Sequence, residues 1–328
     1  MAENNPYRQM LVDFERPGDK RQWVQQAEAM VERAEACDDT SHERVCVHHE
    51  LIMAQHSLDE VGYAPAILER VEALMAIKQG MDPMSGQCKG CLLGSKADAL
   101  MALERYEEAR AALQESLENS SKDGRSKWWA LNKTAEALWD LARIETLLGN
   151  PKAAREVVAR HDDERRFAIE CAQAMIDNPN NAQHHGHYRH TIQNANEAIR
   201  EMALLDLAAH GKYLQAAEGI AAYLGELGDG GSGMTSIMHA VVTAAAAAEA
   251  WEALLALAPI VGPEFESRGA VRRLALLRLH VARAHLELGD RIKARTLLFE
   301  LEDGQSDLIG ADMEPLLETL RQRLRDAL

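Results

Sequence analysis

Five stretches of the chain repeat one arrangement of small, apolar and polar positions. They are EVGYAPAILERVEAL (60–74), ERYEEARAALQESL (104–117), GNPKAAREVVARH (149–161), GKYLQAAEGIAAYL (211–224) and GDRIKARTLLFEL (289–301). Each carries an alanine shortly after a polar turn: Ala66, Ala109, Ala154, Ala216 and Ala294. Three positions earlier stand Tyr63, Tyr106, Pro151, Tyr213 and Arg291, and four positions later Arg70, Leu113, Val158, Ile220 and Leu298. Twelve positions before the alanine the chain places Ala54, Ala97, Ala142, Leu204 and Ala282.

The spacing predicts pairs of helices. A glycine (Gly62, Gly149, Gly211, Gly289) ends the first helix because it tolerates left-handed backbone. The tyrosine or proline opens the second, where a proline loses no hydrogen bond. Small residues on both helices let their axes approach, and the apolar residue one turn on fills the groove. Leu204 and Arg70 depart from this rule. A sixth, degenerate unit falls around Trp251, Leu254 and Ala258. A lead helix is expected over about 21–37, repeats over about 45–302, and a charged capping helix over about 312–328. Breaks are expected at Gly80–Gly86, Asn119–Gly124, Asn178–Gly186, Gly225–Gly233 and Gly262–Pro263.

These residues resemble the tetratricopeptide repeat family, with the fullest match around Ala109, Ala216 and Ala294. The intervals between anchors are irregular and longer than the family's usual repeat of about 34 residues. The resemblance implies an all-α fold, a right-handed superhelix of antiparallel helix pairs, here one elongated domain over residues 1–328. It also implies a concave face lined by the first helix of each pair. The lining would include Gln55, Asp98, Arg143, Leu205 and Arg283, with Trp139 and Glu201 one turn earlier. Such a face takes a protein or peptide segment, so a bacterial-type scaffold or adaptor is the function implied, and no enzyme.

Composition agrees. Hydrophobic residues make up 47% of the 328 residues and aromatics only 5%, a balance that suits close helix packing better than a sandwich of strands. The net charge of −16 repels phosphate backbones, so no direct nucleic-acid partner is expected. No leader or membrane span is visible. The apolar run from Ala240 to Val261 is interrupted by Glu249 and Glu252 and reads as a buried helix pair. Five irregularly spaced cysteines do not make a disulfide framework, and a cytoplasmic location is expected.

Four motifs invite chemistry. Cys88 and Cys91 could supply half of a tetrahedral zinc site or a redox pair, but no second cysteine pair exists to complete it. The histidines of 184–190 include His187 and His190 on one helical face, with no carboxylate inside the cluster. His48 and His49, near Cys46 and His56, are neighbours that point apart on a helix. Gly225–Thr235 lacks the lysine and the preceding strand of a phosphate loop. No cofactor is therefore expected. The alternative function is a metal- or redox-sensing regulatory subunit of a larger assembly, such as a protease, nuclease or toxin complex, acting through Cys88/Cys91 and the 184–190 histidines.

Overall fold

A computed structural model of the chain describes residues 17–36, 42–58, 62–76, 86–122, 128–178, 180–181, 185–227, 232–305 and 313–326. Among these residues the fold is all-α, with fourteen α-helices and no strand. They are α1 (Lys20–Glu35), α2 (His42–Leu58), α3 (Ala64–Ala76), α4 (Gly86–Ala102), α5 (Tyr106–Lys122), α6 (Trp128–Leu147) and α7 (Pro151–Asp177). There follow α8 (His185–Ala209), α9 (Tyr213–Leu227), α10 (Ser232–Ala247), α11 (Trp251–Ser267), α12 (Val271–Glu287), α13 (Arg291–Gln305) and α14 (Glu314–Arg325). Backbone contacts group them into two compact units, Met1–Ile144 with Arg166–Ala174, and Glu145–Arg165 with Met175–Leu328.

Among the described residues, one three-residue turn recurs six times and explains why the helices it links are joined so tightly. Its middle residue is left-handed: Glu104 (φ 58), Gly149 (φ 71), Gly211 (φ 69), Glu249 (φ 56), Gly269 (φ 65) and Gly289 (φ 84). The amide of that residue donates to the carbonyl three residues back, at 2.9–3.2 Å. The next amide donates to the carbonyl five back, at 2.7–2.9 Å. Two orphan carbonyls of the ending helix are thereby satisfied without any side chain. The carbonyl of the third turn residue then accepts from the residue four later: Ala109, Ala154, Ala216, Leu254, Leu274 or Ala294. All six of those residues are buried.

Four of the five expected anchor alanines are in this set. The exception is Ala66, which is exposed. Ile67 takes the place instead: its amide donates to the Tyr63 carbonyl at 2.9 Å, and it is 1% exposed. The first unit is thus offset by one residue, which also puts buried Val71, in place of Arg70, at the apolar position one turn on. The turn at Glu249 opens the degenerate unit expected around Trp251 and Leu254, and the turn centred on Gly269 was not among the expected ones.

The break expected at Gly262–Pro263 is not present. α11 runs through both Pro259 and Pro263. Proline removes a helical hydrogen bond and crowds the preceding residue. Here Gly262 offers no Cβ to meet the Pro263 ring, and Leu257, Val261 and Phe265 are fully buried along one face. Leu204, the large residue where a small one is expected, is also accommodated. A Cβ on Gly219 would come within 2.6 Å of Leu204 Cδ2, so the small residue has moved to the facing helix, α9.

In the first unit, α1 packs on α2 through Val24, Ala27, Val31, Ala34, Leu51 and Ala54. In the second, α14 closes on α12 and α13 through Met313, Leu317 and Leu320, which meet Leu279, Ala282 and Leu298. Arg321 and Arg323 tie α14 to the same helices, through Glu302 of α13 at 2.8 Å and Glu287 of α12, while Arg325 bonds Glu318 within α14 at 2.7 Å.

Candidate functional site

The first unit contains a half-buried polar cluster on α6 and α4. Ala135, Leu138 and Ala142 recur at helical spacing and turn one face of α6 into the core. That orientation leaves Trp139, Asp140 and Arg143 side by side at the margin of the buried face. Trp139 and Arg143 are one turn apart, and the Arg143 guanidinium lies over the indole at 4.6 Å from its centroid. Arg143 Nη1 donates to Asp140 Oδ1 at 2.7 Å. Arg143 is only 8% exposed, and its Nε has no hydrogen-bond partner.

From α4, Asp98 adds a second carboxylate. Burial pushes the Asp140 carboxyl up to about 7, and the negative charges of Asp98 and Glu136 push the same way against Arg143. The cluster therefore has an aromatic surface, a cation held in place, and a carboxyl whose pKa burial raises. Asp140 was not among the sequence candidates. Its place three residues before Arg143 on one helical face is the signal that marks it.

The other expected lining residues occupy different surroundings. Gln55 is 5% exposed, and its Oε1 has no hydrogen-bond partner. It stands twelve residues before Ile67, where three other units carry a buried alanine, Ala97, Ala142 and Ala282. Leu205 is fully buried in α8. Glu201 accepts a hydrogen bond from the Tyr223 hydroxyl at 3.0 Å, and burial together with that carboxylate raises the tyrosine pKa. Arg283 lies over Trp251 at 4.9 Å and bonds Glu249 at 3.3 Å. Leu205, Glu201 and Arg283 belong to the second unit, so Asp98, Trp139 and Arg143 are the three brought into one cluster.

Of the motifs weighed for metal or redox chemistry, Cys91 is half-buried on α4, and the side chain of Cys88 lies outside the described residues, as does His184. His187 and His190 are exposed on α8. The His187 ring meets Tyr188 edge-on at 5.6 Å, and His190 Nε2 lies 3.2 Å from the Asn194 amide nitrogen. Among the described residues, no group of three or more His, Cys, Asp or Glu side chains is placed to hold a metal ion.

His48 and His161 are buried and His280 is half-buried with its Nδ1 enclosed; the last two carried no sequence signal. Burial lowers the pKa of each, to about 4 for His48 and His280. An arginine accompanies each one: Arg70 Nη1 lies 3.2 Å from His48 Nδ1, Arg165 Nε donates to His161 Nε2 at 3.3 Å, and the Arg283 charge bears on His280. Among the described residues, no helix is long and apolar enough to cross a membrane. No protein-family model matches the chain, and no curated protein matches it in sequence.

Proposed function

We propose that this chain is a scaffold or adaptor of tetratricopeptide type, which holds a protein or peptide segment on the concave face of a superhelix of helix pairs and carries out no bond chemistry. The observation that carries the reading is the cluster of Asp98, Trp139, Asp140 and Arg143. Trp and Arg are the usual energetic anchors of interfaces, and here one is stacked on the other in a fixed pose. A preset rotamer lowers the ordering cost of binding. The recurrent turn and the buried anchor residue that follows it support the reading of a repeat architecture. The buried surroundings of Gln55 and Leu205 shift the proposed contact surface toward α4 and α6.

The test is capture of partners by the full chain from an extract, followed by peptide arrays tiled across whatever co-purifies. The captured segment is then titrated against Trp139→Ala and Arg143→Ala proteins. Each substitution is expected to weaken binding by at least tenfold. Equal affinity for both variants and the wild type would remove this surface from the proposal.

A further inference from the structure

We propose that the exposed face of α13 is a self-association surface, on which a second copy of this chain docks with its own α13 running antiparallel. Ala294, Leu298 and Leu301 are buried and fix the inward face of this helix. Ile292 and Phe299 stand on the opposite face, 82% and 67% exposed, and are the two most exposed large hydrophobic side chains among the described residues. Two helical turns separate them, so they form one row about 10 Å long. Leu288, 45% exposed just before the turn into α13, adds a third apolar group at the Ile292 end. Single exposed apolar residues are ordinary, whereas a row of them along one helix marks a contact surface.

The charges beside this row select the occupant. The first half of α13 is basic, with Arg291, Lys293 and Arg295, and the second half carries Glu300 and Glu302. An acidic partner would match only the first half and a basic partner only the second. A copy of the same helix turned end for end matches both. Lys293 and Glu300 are also two turns apart, in a row that flanks the apolar one. A two-fold axis near Thr296 therefore sets each Ile292 against the second copy's Phe299, and each Lys293 beside the second copy's Glu300. Lys293 is 66% exposed while it bonds Asp290 at 3.0 Å, and Glu300 is exposed, so both can reach across. Arg291 and Glu302 are related likewise on the other flank, where Glu302 also accepts from Arg321. One meeting is unfavourable: Arg295 approaches its own copy near the axis. The pairing uses the same patch on both copies, as two-fold dimers do. With two large apolar side chains from each copy at its centre, the contact is small and the association weak.

The full chain is examined by sedimentation equilibrium at pH 7, from dilute solution to near its solubility limit. A monomer–dimer equilibrium is expected. Ile292→Ser combined with Phe299→Ser should weaken it at least tenfold; both positions are exposed, so the fold survives, which circular dichroism checks. Lys293→Glu alone and Glu300→Lys alone each bring like charges together at two symmetric places, and each should weaken the dimer about fivefold. The two reversals in one chain recreate the opposite charges and should restore the wild-type midpoint. Arg295→Gln, which removes the repulsion at the axis, should tighten the dimer. A monomer at every concentration overturns the inference and leaves the row to a helix of another protein. A dimer unaffected by the paired serine substitutions uses a different surface and overturns it equally. Failure of the combined charge reversal to recover what the single reversals lose overturns the antiparallel pairing.

Discussion

His280 offers the most direct quantitative test of the interior. Its imidazole sits in α12 with Nδ1 buried and unpartnered, and burial, with the Arg283 charge behind it, lowers its pKa from 6.5 to about 4. The folded protein therefore refuses a proton that the unfolded chain accepts. Above the unfolded value both states are neutral and the group does not affect stability. As pH falls below that value, only the unfolded state gains the proton, and stability is lost until the folded value is reached. Linkage over a drop from about pH 7.5 to about pH 5 gives a loss of about 2 kcal/mol from this one group, levelling off near 3 kcal/mol below about pH 4. His48 contributes with the same sign. Asp140 contributes with the opposite sign, because its raised pKa lets the folded state take up a proton first as pH falls from about 7. The overall pH profile thus mixes terms, and the decisive quantity is a difference. Urea unfolding followed by circular dichroism is measured at both pH values for the wild type and for His280→Gln. The variant should lose about 2 kcal/mol less than the wild type on acidification. Parallel losses, agreeing to within about 0.5 kcal/mol, would refute a buried neutral imidazole at this position.

Two further predictions concern backbone and packing. Glu104 holds a left-handed conformation that glycine adopts without strain, so Glu104→Gly should stabilise the first unit by about 0.5–1 kcal/mol in thermal or urea melts. Gly219→Ala and Gly94→Ala should part company. A Cβ at Gly94 meets nothing within 4 Å, so the better helix former should gain up to about 1 kcal/mol. At Gly219 the contact of 2.6 Å with Leu204 should turn the same substitution into a net loss of about 1 kcal/mol.

Much of the secondary structure was legible because its signals are local. Gly149, Gly211 and Gly289 mark turns by the freedom of their own backbone, and Ala109, Ala154, Ala216 and Ala294 mark the close packing that follows. What escaped depends on residues distant in sequence. Glu249 accepts a conformation unusual for its type while its carboxylate bonds Arg283, more than thirty residues on. Leu204 looked like a violation until Gly219, on the next helix, supplied the missing space. α11 survives two prolines because its buried face outweighs their local cost. The site divides along the same line. Trp139 and Arg143 could be paired from helical spacing alone. The raised pKa of Asp140 could not, because it needs Asp98 brought in from α4 and the desolvation that only packing provides.

The six matched joints have a further consequence. Each reverses the end of one helix into the start of the next through main-chain groups alone, so the joint stays constant whatever lengths of helix it connects. Rods as different as the 27 residues of α7 and the 15 of α9 or α13 can be fitted to it. Lengthening or trimming a rod by whole turns moves its far end by about 5.4 Å per turn and leaves the coupling untouched. Reach and connection are thus adjustable independently in this chain.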